Sequence, residues 1–86
     1  MHTVEMRERM IRLAEDLGYD VRQEWLGGTG GGVCEFGGRR HIFLDLALSA
    51  VEQLDQLAQA LAQDPAVHSL KLPTALQPLL GIRRAA

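Results

Sequence analysis

The sequence predicts a single α+β domain over residues 1–86, with an N-terminal helix, a three-stranded and mostly antiparallel sheet, and a second long helix. Two segments repeat apolar residues at helical spacing, and the segment between them alternates apolar and polar residues at strand spacing. A Gly-Gly pair between two short apolar runs indicates a hairpin. Because 86 residues support only one hydrophobic core, these elements belong to one domain. The tail is predicted to add a short fourth strand and a short C-terminal helix.

The first helix is predicted from about residue 3 to residue 17. Its apolar residues recur at spacings of three and four, as a helix with one buried face requires: Met6, Met10, Ile11, Leu13, Ala14 and Leu17. Gly18 follows directly, where a helix end favours a left-handed residue. Methionines at helical spacing are interpreted as core packing.

Three short strands are predicted to follow. The first covers residues 19–26, and the second, 33–36, is joined to the third, 41–44, by the Gly37-Gly38 turn. The second and third strands are expected to pair antiparallel, with the first alongside. Five glycines in residues 27–32 exclude a helix or a central strand there.

The second helix has the clearest start signal in the chain. Ser49 and Glu52 fit the S-x-x-E capping box, in which each side chain bonds the backbone N–H of the other residue. The predicted apolar stripe contains Val51, Leu54, Leu57, Ala58 and Leu61. Asp64-Pro65 ends this helix, because a residue before proline avoids helical backbone angles.

The tail after Pro65 is predicted to contain two short elements. Residues 66–72 are interpreted as a fourth strand. Thr74 is a candidate N-cap for a helix over residues 75–80, with Pro78 in its first turn and Gly81 at its end.

Composition narrows the classes of function. The formal charge of −2 argues against nucleic-acid binding, which needs a basic surface for phosphate contacts. Apolar runs such as 42–44 are far shorter than the roughly 20 residues of a membrane span, and residues 1–12 lack the apolar core of a signal peptide. Cys34 is the only cysteine, so the chain forms no internal disulfide and is predicted to be cytoplasmic.

The glycine run does not match a phosphate-binding loop. No lysine follows it as in a Walker A motif, and the next residues, 33–36, are predicted to form a strand rather than the helix of a dinucleotide fingerprint. It is therefore interpreted as a flexible connection, or as a place where one strand crosses close to another backbone.

Few residues carry chemistry in a recognisable pattern. Cys34 is interpreted as a small buried hydrophobe, and the alternative is a nucleophile with His41 opposite it across the hairpin. Arg39, Arg40 and His41 are interpreted as ordinary solvated charge at the hairpin tip, and the alternative is an anion site. Asp45 is expected to bond local backbone. The spacing of Cys34 and the three histidines lacks the short pairs of a zinc site, so no catalytic, cofactor-binding or metal residue is predicted.

Trp25 is the only tryptophan of the chain. In so small a domain it belongs either to the core or to an interface, and the sequence leaves both open.

Residues 38–63 resemble the strand–helix core of the ImmA/IrrE-like zincin metallopeptidases. In that family a short apolar strand precedes a capped helix with the motif L-A-H-E-L-G-H, whose histidines bind zinc and whose glutamate acts as base. The matching segment here is Leu57-Ala58-Gln59-Ala60-Leu61-Ala62-Gln63, with Gln59 and Gln63 at the zinc positions and Ala60 at the glutamate. The resemblance therefore implies the fold without the metal or the chemistry. Residues 31–34, Gly-Gly-Val-Cys, are also similar to small bacterial proteins with a Gly-Gly-x-Cys segment before such a helix.

These observations predict a non-enzymatic interaction module that forms a homodimer and uses no cofactor. One alternative is a degenerate zincin-like or cysteine-based enzyme. The other is an anion or nucleic-acid binder that uses Arg39 and Arg40, together with Arg83 and Arg84 of the C-terminal tail.

Overall fold

A computed structural model describes residues 2–29, 31–72 and 74–81. These described residues form two α-helices, three strands and two 3-10 helices. In chain order these are α1 (Thr3–Asp16), β1 (Tyr19–Glu24), β2 (Gly32–Phe36), β3 (Arg39–Asp45), α2 (Ala50–Ala62), and the 3-10 helices Pro65–Ser69 and Pro78–Leu80. The predicted α+β layout is confirmed. Residues 83 and 84 lie outside the described residues.

The sheet is mixed, whereas the sequence predicted a mostly antiparallel one. Its strand order is β1-β3-β2, with β2 antiparallel and β1 parallel to β3. The most buried strand, β3, takes the central place, where both of its edges are paired. The connection from β1 to β2 must therefore cross the end of β3, which makes β1 and β3 parallel.

The core lies between the helices and one face of the sheet. Alternation along the strands points Tyr19, Ile42 and Leu44 toward the helices, where each is buried. The predicted stripe of α1 is confirmed, with Met10 and Ala14 fully buried. The buried apolar residues form one cluster: Met10, Ile11, Ala14, Tyr19, Ile42, Leu44, Leu54, Leu57, Ala58, Leu61, Val67, Leu76 and Leu80. In the described part of the chain, no helix is both long and apolar enough to cross a membrane.

The predicted turn and cap signals are confirmed. Gly37 and Gly38 have φ values of 60° and 75°, so the two-residue loop is a primed turn, in which only glycine is free of strain. The capping box is complete: the Glu52 N–H donates to Ser49 Oγ at 3.2 Å, and the Ser49 N–H donates to Glu52 Oε1 at 3.1 Å. Gly18 ends α1 with a φ of 95°.

The stripe predicted for α2 is shifted at its first turn. Val51 is 54% exposed, and Gln53 is buried in its place. Gln53 Nε2 donates to the Leu48 carbonyl at 2.9 Å, and Gln53 Oε1 accepts from Arg7 Nε at 2.8 Å. A buried amide with both ends bonded costs little, so a polar residue can take a core position here.

The tail folds into two 3-10 helices. The first lies where the sequence predicted a fourth strand, and the second is the predicted short C-terminal helix, confined to Pro78–Leu80. Residues 65–69 turn because Asp64 caps them: its Oδ1 accepts the Ala66 N–H at 3.0 Å, and Pro65 has a backbone angle that suits a first helical turn. Val67 is fully buried and fixes this turn on the core. Pro78 opens the second 3-10 helix, and Gly81 ends it as predicted.

Candidate interaction surface

Strand β2 is the most exposed regular element of the sheet. All five of its residues are exposed, and among the described strands it pairs only with β3, so its outer edge carries unpaired backbone groups. Val33 faces the helix side of the sheet and is 48% exposed, because α2 lies over β3 and does not reach across β2. Phe36, on the opposite face, is 54% exposed.

The face of the sheet that points away from α1 and α2 carries a row of stacked rings. The rings of Phe36 and His41 are nearly parallel, with centroids 3.9 Å apart, and Phe43 lies 6.3 Å beyond His41. These neighbours bury His41 although no described helix covers it. His41 Nδ1 lies 3.3 Å from Asp20 Oδ2 on the neighbouring strand. The stack thus places two phenylalanine rings on this face beside His41.

Cys34 lies directly opposite His41 in the β2–β3 ladder, as the predicted hairpin implied. The structure corrects the interpretation of Cys34 as a buried hydrophobe: the thiol is free and exposed, as is every residue of β2. Asp20, His41 and Cys34 thus follow one another across the three strands. The imidazole contacts Asp20 and Phe36, and no hydrogen bond joins it to the Cys34 sulfur in the described structure.

A groove runs between β2 and α2 on the other face. Its volume is about 480 Å³, and the backbone of residues 31–33 forms one wall. The opposite wall is α2, which contributes Gln56, Gln59, Ala60 and Gln63. The positions matched to the zincin motif therefore lie along this groove. Among the described residues, no three histidine, cysteine or acidic side chains are grouped so that they would hold a metal ion.

Three side chains form a polar cluster at the floor of the groove. Asp64 Oδ2 accepts from Tyr19 Oη at 2.9 Å and from Arg40 Nη1 at 2.8 Å. The Arg40 guanidinium lies 4.1 Å above the Tyr19 ring centre and also donates to the Leu17 carbonyl at 3.0 Å. The cluster thus connects β1, β3 and the start of the first 3-10 helix.

The cluster lowers the pKa of Asp64 and raises the pKa of Tyr19. The Ala66 N–H, the Tyr19 hydroxyl and the Arg40 guanidinium hold the pKa of Asp64 below its ordinary value. Burial, and then the hydrogen bond and negative charge of Asp64, raise the pKa of Tyr19. Both shifts favour an ionised Asp64 beside a neutral Tyr19 at neutral pH.

Arg39 and Arg40, which the sequence offered as an alternative anion site, point to opposite faces of the sheet. Neighbouring residues in a strand alternate, so Arg39 lies on the open face and Arg40 on the helix face. Arg40 is also paired with Asp64. The structure therefore brings no joint site together from Arg39 and Arg40.

The structure also places Trp25 and Asp45, two residues considered in the sequence analysis. Trp25 is 76% exposed just after β1, so it is not a core residue. Asp45 is fully buried. Its Oδ1 accepts the N–H of Ala47, which confirms the local backbone bond expected for it, and also the N–H of Leu26, which is distant in sequence.

Sequence reasoning missed the cluster formed by Tyr19, Arg40 and Asp64. Strand alternation contained a signal, because Arg40 shares its face with Ile42 and Leu44, and an arginine on a core face needs an acidic partner. The identity of that partner was not readable from local spacing.

Comparisons of this chain with protein-family models, with curated proteins and with solved structures found no match. The resemblance of residues 38–63 to the zincin core therefore stays a prediction.

Proposed function

We propose that this chain is a non-enzymatic interaction module that forms a homodimer through β2. The observation that carries the proposal is the exposure of every residue of a regular five-residue strand. A strand that is open on one edge and on both faces gains backbone hydrogen bonds and burial when another strand joins it. A domain of this size also gains stability from association.

The composition of the two edge strands favours β2 over β1. Charged and polar side chains protect an edge strand against pairing, and β1 carries four of them: Asp20, Arg22, Gln23 and Glu24. In β2 the only charged residue is Glu35, beside Val33, Cys34 and Phe36. The unprotected edge is therefore the better surface for a partner.

A protein partner in the cytoplasm fits the remaining features best. The net charge of −2 and the pairing of Arg40 with Asp64 leave no joined basic surface on the described hairpin for nucleic acid. An exposed free thiol such as Cys34 persists in a reducing compartment, which supports a cytoplasmic location.

Light scattering coupled to size-exclusion chromatography tests the dimer. Between about 10 and 500 µM the wild-type mass is expected to rise toward twice 9.5 kDa, since association follows mass action. Cys34→Lys places a charge at the centre of the exposed strand and is expected to raise the dissociation constant at least about tenfold. Val51→Lys, at an exposed site on α2, is the matched control and keeps the wild-type value. A wild-type monomer at every concentration overturns the proposal.

The row of Asp20, His41 and Cys34 favours one second candidate, a cysteine-based enzyme. Catalysis would require His41 to activate the Cys34 thiol, and the two are not hydrogen-bonded. We therefore expect His41→Phe, which keeps a ring in the stack, to change the rate of Cys34 alkylation by iodoacetamide less than about twofold. A drop of about tenfold or more would instead support the enzyme.

A further inference from the structure

We propose that a second copy of the chain pairs with β2 in antiparallel orientation, with the two-fold axis passing at Cys34. This inference rests on the proposed homodimer and adds its register. The possible registers depend on which residues of β2 point their backbone N–H and C=O groups away from β3.

The hairpin determines the direction of those groups. In a primed two-residue turn the first residue accepts a hydrogen bond from the fourth, so Phe36 and Arg39 form a hydrogen-bonded pair. Hydrogen-bonded and non-hydrogen-bonded pairs alternate along an antiparallel ladder. Cys34 therefore directs its backbone groups to β3, while Val33 and Glu35 direct theirs to the open edge.

In only one register do Val33 and Glu35 both bond to β2 of the second copy while all five residues of the strand are paired. With the two-fold axis at Cys34, Val33 pairs with Glu35 of the second copy, and each such pair exchanges N–H···O bonds in both directions. An axis at Glu35 would place two glutamates directly opposite each other, which is unfavourable. An axis at Val33 would leave Phe36 beyond the end of the partner strand.

The side chains of β2 are complementary in this register. Phe36 lies across from Gly32 of the second copy, a position without a side chain, so the ring can stay stacked on His41 when the second copy pairs. Cys34 lies across from Cys34 of the second copy as a non-hydrogen-bonded pair, with Cα atoms about 4.5 Å apart. That separation is within the range of a disulfide, so the single cysteine of the chain reports the register.

Oxidative cross-linking of the full chain tests this arrangement. Diamide takes up the two hydrogens that two thiols release when they join, and the product is read on a non-reducing gel. We expect wild-type Cys34 to cross-link at least about tenfold faster than either Val33→Cys or Glu35→Cys in a Cys34→Ser background. A mixture of the two single-cysteine variants should cross-link to each other, because position 33 faces position 35.

The outcomes separate this inference from the proposed function. A dimer by light scattering that forms no Cys34 cross-link, or in which Glu35→Cys links fastest to itself, overturns the register and leaves the homodimer standing. A wild-type monomer overturns both. The register and the homodimer are both supported if Cys34 cross-links fast and this cross-linking is lost on dilution to concentrations at which light scattering shows a monomer.

Discussion

Replacing Gly31 by alanine is expected to destabilise the protein by about 3 kcal/mol, because the connection between β1 and β2 crosses the end of β3 at this residue. A Cβ atom at Gly31 would overlap the Phe43 carbonyl oxygen, which is backbone and cannot rotate away. The crossing would have to move outward and pull β2 with it. Urea unfolding followed by circular dichroism measures the change.

Gly32→Ala is the matched control for this prediction. A Cβ atom at Gly32 would meet no other atom within 4 Å, although the residue is the next one along the chain. At a protein concentration where the chain is monomeric, so that the proposed contact of Gly32 with a second copy does not contribute, we expect its free energy of unfolding to stay within about 0.5 kcal/mol of wild type. Equal losses in the two variants would mean that the close approach at Gly31 does not hold the crossing, and that general glycine effects explain both.

Local sequence patterns predicted the helices and the hairpin. They did not predict which strands are neighbours or whether β1 and β3 are parallel, because contacts between residues far apart in the sequence determine both. The spacing of Met10 and Ala14 and the cap at Ser49 are local signals, and the structure confirms what they predicted. Alternation assigns side chains to two faces of a strand, but it specifies neither the neighbouring strand nor its direction. The parallel pairing of β1 with β3 follows from the crossing at Gly31, which only a folded chain reveals.

The candidate surface was partly predictable for the same reason. The Gly37-Gly38 turn placed Cys34 opposite His41, and the structure confirms this. Alternation allowed Cys34 to be on either face of the sheet. Both faces of β2 are open because α2 does not reach across this strand, so the thiol is exposed where burial was predicted. The fully exposed β2 edge depends on how far α2 extends over the sheet. How far α2 extends is determined by tertiary packing, which local sequence patterns do not predict.

Asp64→Asn is expected to lower the free energy of unfolding at pH 7 by about 2 to 3 kcal/mol. The carboxylate caps the first 3-10 helix through Ala66 and accepts hydrogen bonds from Tyr19 and Arg40 while only 8% exposed. The asparagine amide carries no charge, and its NH2 group would face neighbours that are themselves hydrogen-bond donors. Asp55→Asn, on the exposed side of α2, is the control and is expected to behave as wild type.

The pH dependence distinguishes loss of charge at Asp64 from a general packing defect. Because the folded protein holds the pKa of Asp64 below its unfolded value of about 3.9, the stabilisation is complete above that pH and is lost as the pH falls through the folded pKa. The gap between wild type and Asp64→Asn should therefore close in strong acid. Tyr19 acts at the other end: its raised pKa means that stability falls as the pH rises past the ordinary tyrosine value of about 10. A gap that stays constant from pH 7 into strong acid would show that the charge of Asp64 does not stabilise the fold.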